Sequence, residues 1–195
     1  QFLQLLKKDS ICDVRLGDQS QQNMSVLFAD IRNFTTLSEA MTPQETFNFI
    51  NRYLSYMEPA IIQNQGFIDK YIGDAVMAVW VHGADGVAPP EMLRIMQAMD
   101  ELAKMTAQLH KRFPLPFPLR IGAGLNTGYA MVGNTGTGDH PDYTAIGDTV
   151  NAAFRFESST KQLGLDVAVG ETTYEYLTKM QGTDALFHRY VVNMK

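Results

Sequence analysis

Two short apolar runs each meet an aspartate: Met24 to Ala29 is followed by Asp30, and Ala75 to Val81 is preceded by Gly73 and Asp74. Apolar runs of this length bounded by polar residues predict strands, so Asp30 ends one strand and Asp74 opens another. An aspartate at a strand end or beside glycine is in itself ordinary turn chemistry. Two of them at converging strand ends suit a second purpose. Divalent cations of the Mg2+ type take oxygen ligands, using one or two carboxylates together with substrate phosphates. The requirement is that the hairpin carrying Asp74 lie beside the strand carrying Asp30.

Between and after these runs, two-residue alternation and helical periodicity take turns, which predicts a mixed α/β fold. Phe47, Ile50, Leu54, Met57 and Ile61 recur at three-and-four spacing and make one apolar helix face. Thr42-Pro43-Gln44-Glu45 is suited to cap that helix, with Pro43 at its first position and Glu45 three residues after Thr42. Gly66 ends it, Phe67 to Tyr71 reads as a strand, and Ile72-Gly73 makes the tight turn into the strand after Asp74. A second helix is expected from about Pro90 to Arg112, with its methionines as adaptable core. Phe113 to Pro118 breaks it as a short rigid connection. Arg120 to Asn126 and Tyr129 to Gly133 are expected to pair across a turn at Thr127-Gly128. The glycine-rich stretch Asn134 to Pro141 does not lead from a strand into a helix, so it reads as a mobile loop with His140 at the surface rather than as a phosphate cradle. A further helix is expected to open at Asp148 or Thr149. Asn151 and Arg155 project from one side of it, while Val150, Ala153 and Phe154 occupy the other.

At 195 residues with 45% apolar content, the chain is the size of one globular domain with a sizeable core. A net charge of −5 gives no basic footprint for polymeric nucleic acid. Cys12 is the single cysteine, which excludes an internal disulfide framework and fits a reducing, cytoplasmic setting. No apolar run approaches the roughly 20 residues of a membrane span. The chain opens on Gln1 and its last strand-like run, Phe187 to Met194, reaches the final residue, as expected for a segment of a longer protein. Residues 1–23 read as the end of an upstream linker or helix, from a sensor or membrane module, and 24–195 as the catalytic unit.

Three segments, Phe28 to Thr35, Gly66 to Asp74 and Asp142 to Arg155, resemble the catalytic domain of class III nucleotidyl cyclases, with the spacing between them kept. The resemblance implies a ferredoxin-like or palm-like βαββαβ core, an antiparallel-rich sheet with helices packed on it. It implies two Mg2+ or Mn2+ ions held by Asp30, Asp74 and the carbonyl of Ile31. It also implies a homodimer with two shared sites, in which one chain gives the metal aspartates and its partner gives the base-recognising residues and the pair Asn151 and Arg155. That pair orients the ribose and neutralises the reacting phosphate. The backbone around Phe34 and Thr35 meets the triphosphate, and Lys195 matches a lysine near the terminal phosphate.

Base choice falls to Lys70 and Thr144. A lysine donates and a threonine hydroxyl does either, so the pair can read adenine's ring nitrogen and amino group, whereas guanine asks for an acceptor facing its donors. The resemblance therefore favours an adenylate cyclase acting on ATP. A guanylate cyclase and a catalytically silent nucleotide sensor stay open. A diguanylate cyclase shares the strand and hairpin, but this chain has Ile72-Gly73-Asp74 where a double-glycine acidic hairpin is expected. Asn126 stands where the family often has histidine, and Phe154 where a small residue is common.

Overall fold

The computed structural model describes residues 2–113, 115, 117–138 and 140–180, so the expected strand at 187–194 and Lys195 lie outside the described residues. A short helix, α1 (Phe2–Leu5), precedes β1 (Gln19–Ile31), α2 (Phe34–Glu39) and α3 (Pro43–Gln63). The hairpin β2 (Phe67–Ile72) and β3 (Ala75–His82) follows, then α4 (Pro89–Arg112), β4 (Ile121–Gly136) and β5 (Pro141–Ile146). The described part closes with α5 (Asp148–Leu163), β6 (Val167–Val169) and α6 (Glu171–Thr178).

One six-stranded sheet runs in the order β2-β3-β1-β4-β5, with β6 pairing parallel to the start of β4 and every other pair antiparallel. The order β2-β3-β1-β4 is that of a βαββαβ core, as expected from the three motifs. Alternation along β1 splits the hydrophobic core in two, because successive side chains of a strand face opposite ways. Leu27, Ala29 and Ile31 pack with α3, α4 and α6, while Met24, Val26 and Phe28 pack toward Val150 and Ala153 of α5.

Local chemistry places the helices. Thr42 Oγ1 accepts from the backbone N–H of Glu45 while Glu45 Oε2 accepts from that of Thr42, a reciprocal cap that starts α3 behind Pro43. Gly73 has φ 62°, a conformation that suits glycine, and lets β2 fold back into β3.

Four expectations need correction. The buried face of α3 is made by Phe49, Tyr53, Met57, Ala60 and Ile61, whereas Phe47, expected on that face, is 69% exposed. Residues 121–136 form one continuous strand rather than a pair turning at Thr127-Gly128. Gly128 is needed there for a different reason: a Cβ on it would lie 2.7 Å from Thr149 Oγ1, so it is a site of close approach by α5. The stretch Asn134 to Pro141 is loop only in its middle, since Asn134, Thr135 and Gly136 at the end of β4 pair with Tyr143, Asp142 and Pro141, while His140 is exposed in the connection as expected. Finally, α5 opens at Asp148 as expected, but its cap is Gly147 without a side-chain hydrogen bond, Thr149 donates instead to the carbonyl of Tyr129 at 2.7 Å, and Phe154, expected on the packed side, is 54% exposed and meets Phe28 edge-on at 5.6 Å.

Candidate functional site

The hairpin does lie beside β1. Asp74, in the turn between β2 and β3, accepts through Oδ2 from the backbone N–H of Ile31 at 3.0 Å, which locks the turn against the end of β1 where Asp30 stands. Burial pushes the Asp74 carboxyl up; the Ile31 N–H pulls it down, and the nearby Asp30 charge pushes it up again. Beneath the pair, Tyr53 of α3 is fully buried with its hydroxyl unpartnered among the described residues, and burial, then Asp74 and Asp30, push its pKa up. Asp30, Ile31 and Asp74 thus converge, as their positions in the sequence predict.

Three residues not foreseen surround Asp30. Lys161 of α5 donates to Asp30 Oδ2 at 2.9 Å and stands 3.7 Å from Glu157. Glu157 is buried on the face of α5 that packs on the sheet, and its pKa is pushed up to about 7 by burial first, then by its hydrogen bond with Asp30 and the Asp30 charge. Asp30 Oδ1 and Glu157 Oε1 are both buried without a donor, a deficit that a proton held on Glu157 removes. Arg32 then staples the end of β1 to α5 by donating to Thr160 Oγ1 at 2.5 Å and to the Leu165 carbonyl. The sequence did carry a signal for Glu157. It falls in the buried stripe Val150, Ala153, Glu157 and Thr160, where an apolar residue is the rule.

Among the described residues, no group of three or more His, Cys, Asp or Glu side chains is arranged to hold a metal. The donor set nonetheless fits a hard divalent ion that brings phosphate oxygens with it: two carboxylates, one with a buried oxygen lacking any donor.

Lys70 and Thr144 also come together, although β2 and β5 lie at opposite ends of the strand order. Asp69 joins them. Its carboxylate accepts from Thr144 Oγ1 at 2.9 Å and from the Ala145 N–H at 3.3 Å, and Lys70 Nζ is 3.9 Å away. Lys70 donates to Asp142 at 2.7 Å. Burial pushes the Asp69 carboxyl up against the opposing pull of Thr144, Lys70 and Ala145. Phe34 and Thr35 sit at the start of α2, behind Asn33 in the left-handed conformation at φ 56°.

Asn151 and Arg155 are exposed together on the outer face of α5, and neither side chain has a hydrogen bond or ion pair among the described residues. Along the axis of α5, Asn151 is about 15 Å from Lys161, the residue that touches Asp30. The chain therefore brings together its acid pair and its Lys70–Thr144 pair, each by itself, and leaves Asn151 and Arg155 facing outward.

The family profile of the adenylate and guanylate cyclase catalytic domain matches residues 16–194. An adenylate cyclase of Anabaena cylindrica is 37% identical over 177 residues, covering 91% of this chain and 35% of that protein. The terminal-differentiation specific adenylate cyclase of Dictyostelium discoideum is 31% identical over 179 residues, covering 90% of this chain and 8% of the relative. This chain thus spans about a third of the first relative and less than a tenth of the second. The crystal structure of the adenylyl cyclase CyaB from P. aeruginosa superposes with a TM-score of 0.74 at 30% identity, covering 83% of each chain.

Proposed function

Because this chain belongs to the family of adenylate and guanylate cyclase catalytic domains, we propose that it converts ATP to 3′,5′-cyclic AMP and pyrophosphate. The observation that carries the proposal is the union of Asp30 and Asp74 at the end of β1, with the Ile31 N–H binding the second carboxylate. The ribose 3′-oxygen attacks the α-phosphorus; the bond to the β-phosphate oxygen breaks, pyrophosphate leaves, and the hydroxyl proton is lost. Two divalent ions, Mg2+ or Mn2+, held by Asp30, Asp74 and the Ile31 carbonyl, supply charge neutralisation and acidify that hydroxyl when bound.

The chain's own groups divide the remaining work. Asn151 orients the ribose, and Arg155 is aimed at charge building on the non-bridging oxygens, where a preorganised cation is worth most. Backbone N–H groups at Phe34 and Thr35 meet the triphosphate, and Lys195 approaches its terminal phosphate. Lys70 donates to the adenine ring nitrogen while Thr144 meets the amino group. The outward face of Asn151 and Arg155, far along α5 from Asp30, supports a homodimer with two shared sites, each taking its acids from one chain and this pair from the other.

We assign catalysis to the chain from residue 16 onward rather than from 24, since Gln19 to Asn23 already pair with β4 as part of β1, and treat the residues before it as the end of a linker from an upstream sensor or membrane module, with the catalytic unit on the cytoplasmic side. Among the described residues no helix is long and apolar enough to cross a membrane. Incubating the purified protein with ATP or GTP and Mn2+, and identifying products by mass, tests the proposal. Cyclic AMP from ATP is expected. Cyclic GMP as the preferred product makes it a guanylate cyclase, and no cyclic product from either leaves a nucleotide sensor.

A further inference from the structure

Asp69 occupies an irregular position. In the pairing of β2 with β3, Ile68 faces Ala78 and Lys70 faces Met77, so Asp69 is the extra residue of a β-bulge. Neighbouring residues of a regular strand point to opposite faces. The bulge instead lets both reach β5, Asp69 to Thr144 and Lys70 to Asp142. The alternation Phe67, Asp69, Tyr71 offered a hint, because a carboxylate there takes the place of an apolar side chain.

What Asp69 does to Thr144 follows from counting protons. A threonine hydroxyl has one hydrogen to give and two lone pairs to offer. Two acceptors stand within reach of the Thr144 hydrogen, Asp69 Oδ2 at 2.9 Å and the Ala145 carbonyl at 3.4 Å, and both belong to the protein. Asp69 cannot easily turn away: its side chain is fully buried, and its other oxygen accepts from the Ala145 N–H at 3.3 Å. The hydroxyl hydrogen is thus committed inward, and the lone pairs are what remain for a ligand. An amino group at purine position 6 is welcomed by such an oxygen, and an oxo group is repelled.

We propose that Asp69 is a positioning residue that fixes the polarity of the Thr144 hydroxyl and so makes the site prefer a 6-amino over a 6-oxo purine nucleotide. The inference rests on the ATP-cyclising proposal and adds the group that sets its base choice. Asp69 itself touches no substrate.

The test is Asp69→Asn, which keeps the shape. The amide oxygen retains the Ala145 N–H bond, the NH2 donates to Thr144 Oγ1, and the threonine hydrogen loses its 2.9 Å acceptor, so that it is free to turn outward, the Ala145 carbonyl at 3.4 Å holding it only weakly. Cyclisation of ATP and ITP is measured for the wild type, Asp69→Asn, Thr144→Val and the double variant, with Mn2+. Lys70 is common to all four, so its contribution cancels when ATP-to-ITP ratios of kcat/KM are compared. Asp69→Asn is expected to lower that ratio at least tenfold, chiefly through KM. On the Thr144→Val background it is expected to change nothing further, since no hydroxyl is left to orient. A folded Asp69→Asn protein with an unchanged ratio, or an equal effect with and without the hydroxyl, overturns the proposal. Should Asp69→Asn fail to fold, Thr144→Val decides, and wild-type selectivity in that variant overturns it. A wild-type protein that cyclises neither nucleotide ends the catalytic proposal instead. Selectivity is then read as binding of ATP against ITP, and equal or absent binding ends this one too.

Discussion

Lys161 places an ammonium 2.9 Å from Asp30 Oδ2, on the same carboxylate that the proposed metal site needs. A half-exposed ion pair of this kind is worth about 1 kcal/mol or less, so a divalent ion can displace it, but at a cost in affinity. Lys161→Met is therefore expected to tighten Mn2+ binding by about threefold, the factor such an energy allows. Electron paramagnetic resonance of Mn2+ titrated into nucleotide-free protein reads it directly, and weaker binding would assign Lys161 the opposite role of holding Asp30 in place. A second residue-scale consequence lies inside the core. His82 is buried, with Nε2 at 2.8 Å from Ser25 Oγ and Nδ1 at 3.2 Å from Glu91 Oε1; Ser25 in turn meets Thr127, which accepts from Thr173. Burial lowers the His82 pKa more than Glu91 raises it, so the folded protein takes up this proton at lower pH than the unfolded chain. The unfolded state then binds more protons just below about pH 6.5, and stability from this group is full above that value and declines as pH falls through it. Urea midpoints at pH 7.5 and 5.5 should differ more for the wild type than for His82→Gln. An equal difference would remove His82 as the cause.

At the scale of elements, the face of β4 toward α5 depends on what its glycines lack. A Cβ on Gly124 would lie 2.2 Å from both the Ala153 carbonyl oxygen and the Glu157 nitrogen, which are backbone atoms of α5 and cannot swing aside. Gly124→Ala is expected to cost about 3 kcal/mol or to prevent folding, because α5 must lift from the sheet. At Gly128 the clash is with the Thr149 side chain, which can rotate, so Gly128→Ala is expected to cost nearer to 1 kcal/mol. Thermal unfolding of the two variants checks the order, and a reversal would mean that α5 is not seated by Gly124. These glycines also mark where the sequence could be read and where it could not. The start of α3 was legible because Thr42, Pro43 and Glu45 act within one turn of each other. Gly128 was misleading because glycine serves turns and close contacts alike, and only the partner helix distinguishes them. Asp30 and Asp74 were legible as strand-end carboxylates. Lys161 was not, and Glu157 and Asp69 showed only as carboxylates in otherwise apolar patterns, since the roles of all three depend on contacts with residues distant in sequence.

For the whole molecule, the decisive feature is that one chain does not gather all its proposed site residues. Asp30 and Asp74 sit at the end of β1, whereas Asn151 and Arg155 face outward from the N-terminal half of α5, where Phe154 is also 54% exposed. The chain's own contact from α5 to Asp30 comes from Lys161, at the other end of that helix. The spacing of Asn151 and Arg155 made their shared face legible, but no spacing within a chain states whether a second copy supplies a group. Complementation does. Asp30→Ala loses the acid and Asn151→Ala loses the amide proposed to orient the ribose, so in the proposed dimer each variant alone is expected to fall at least a hundredfold in cyclase rate. In a heterodimer the two lesions collect in one site and leave the other whole, so mixing the proteins should restore about a quarter of wild-type activity, half of the dimers being mixed and half of their sites intact. Native mass spectrometry establishes that heterodimers form. Heterodimers without recovery would place the acids and the amide in the same chain's site, requiring α5 to move toward its own β1 before the reaction.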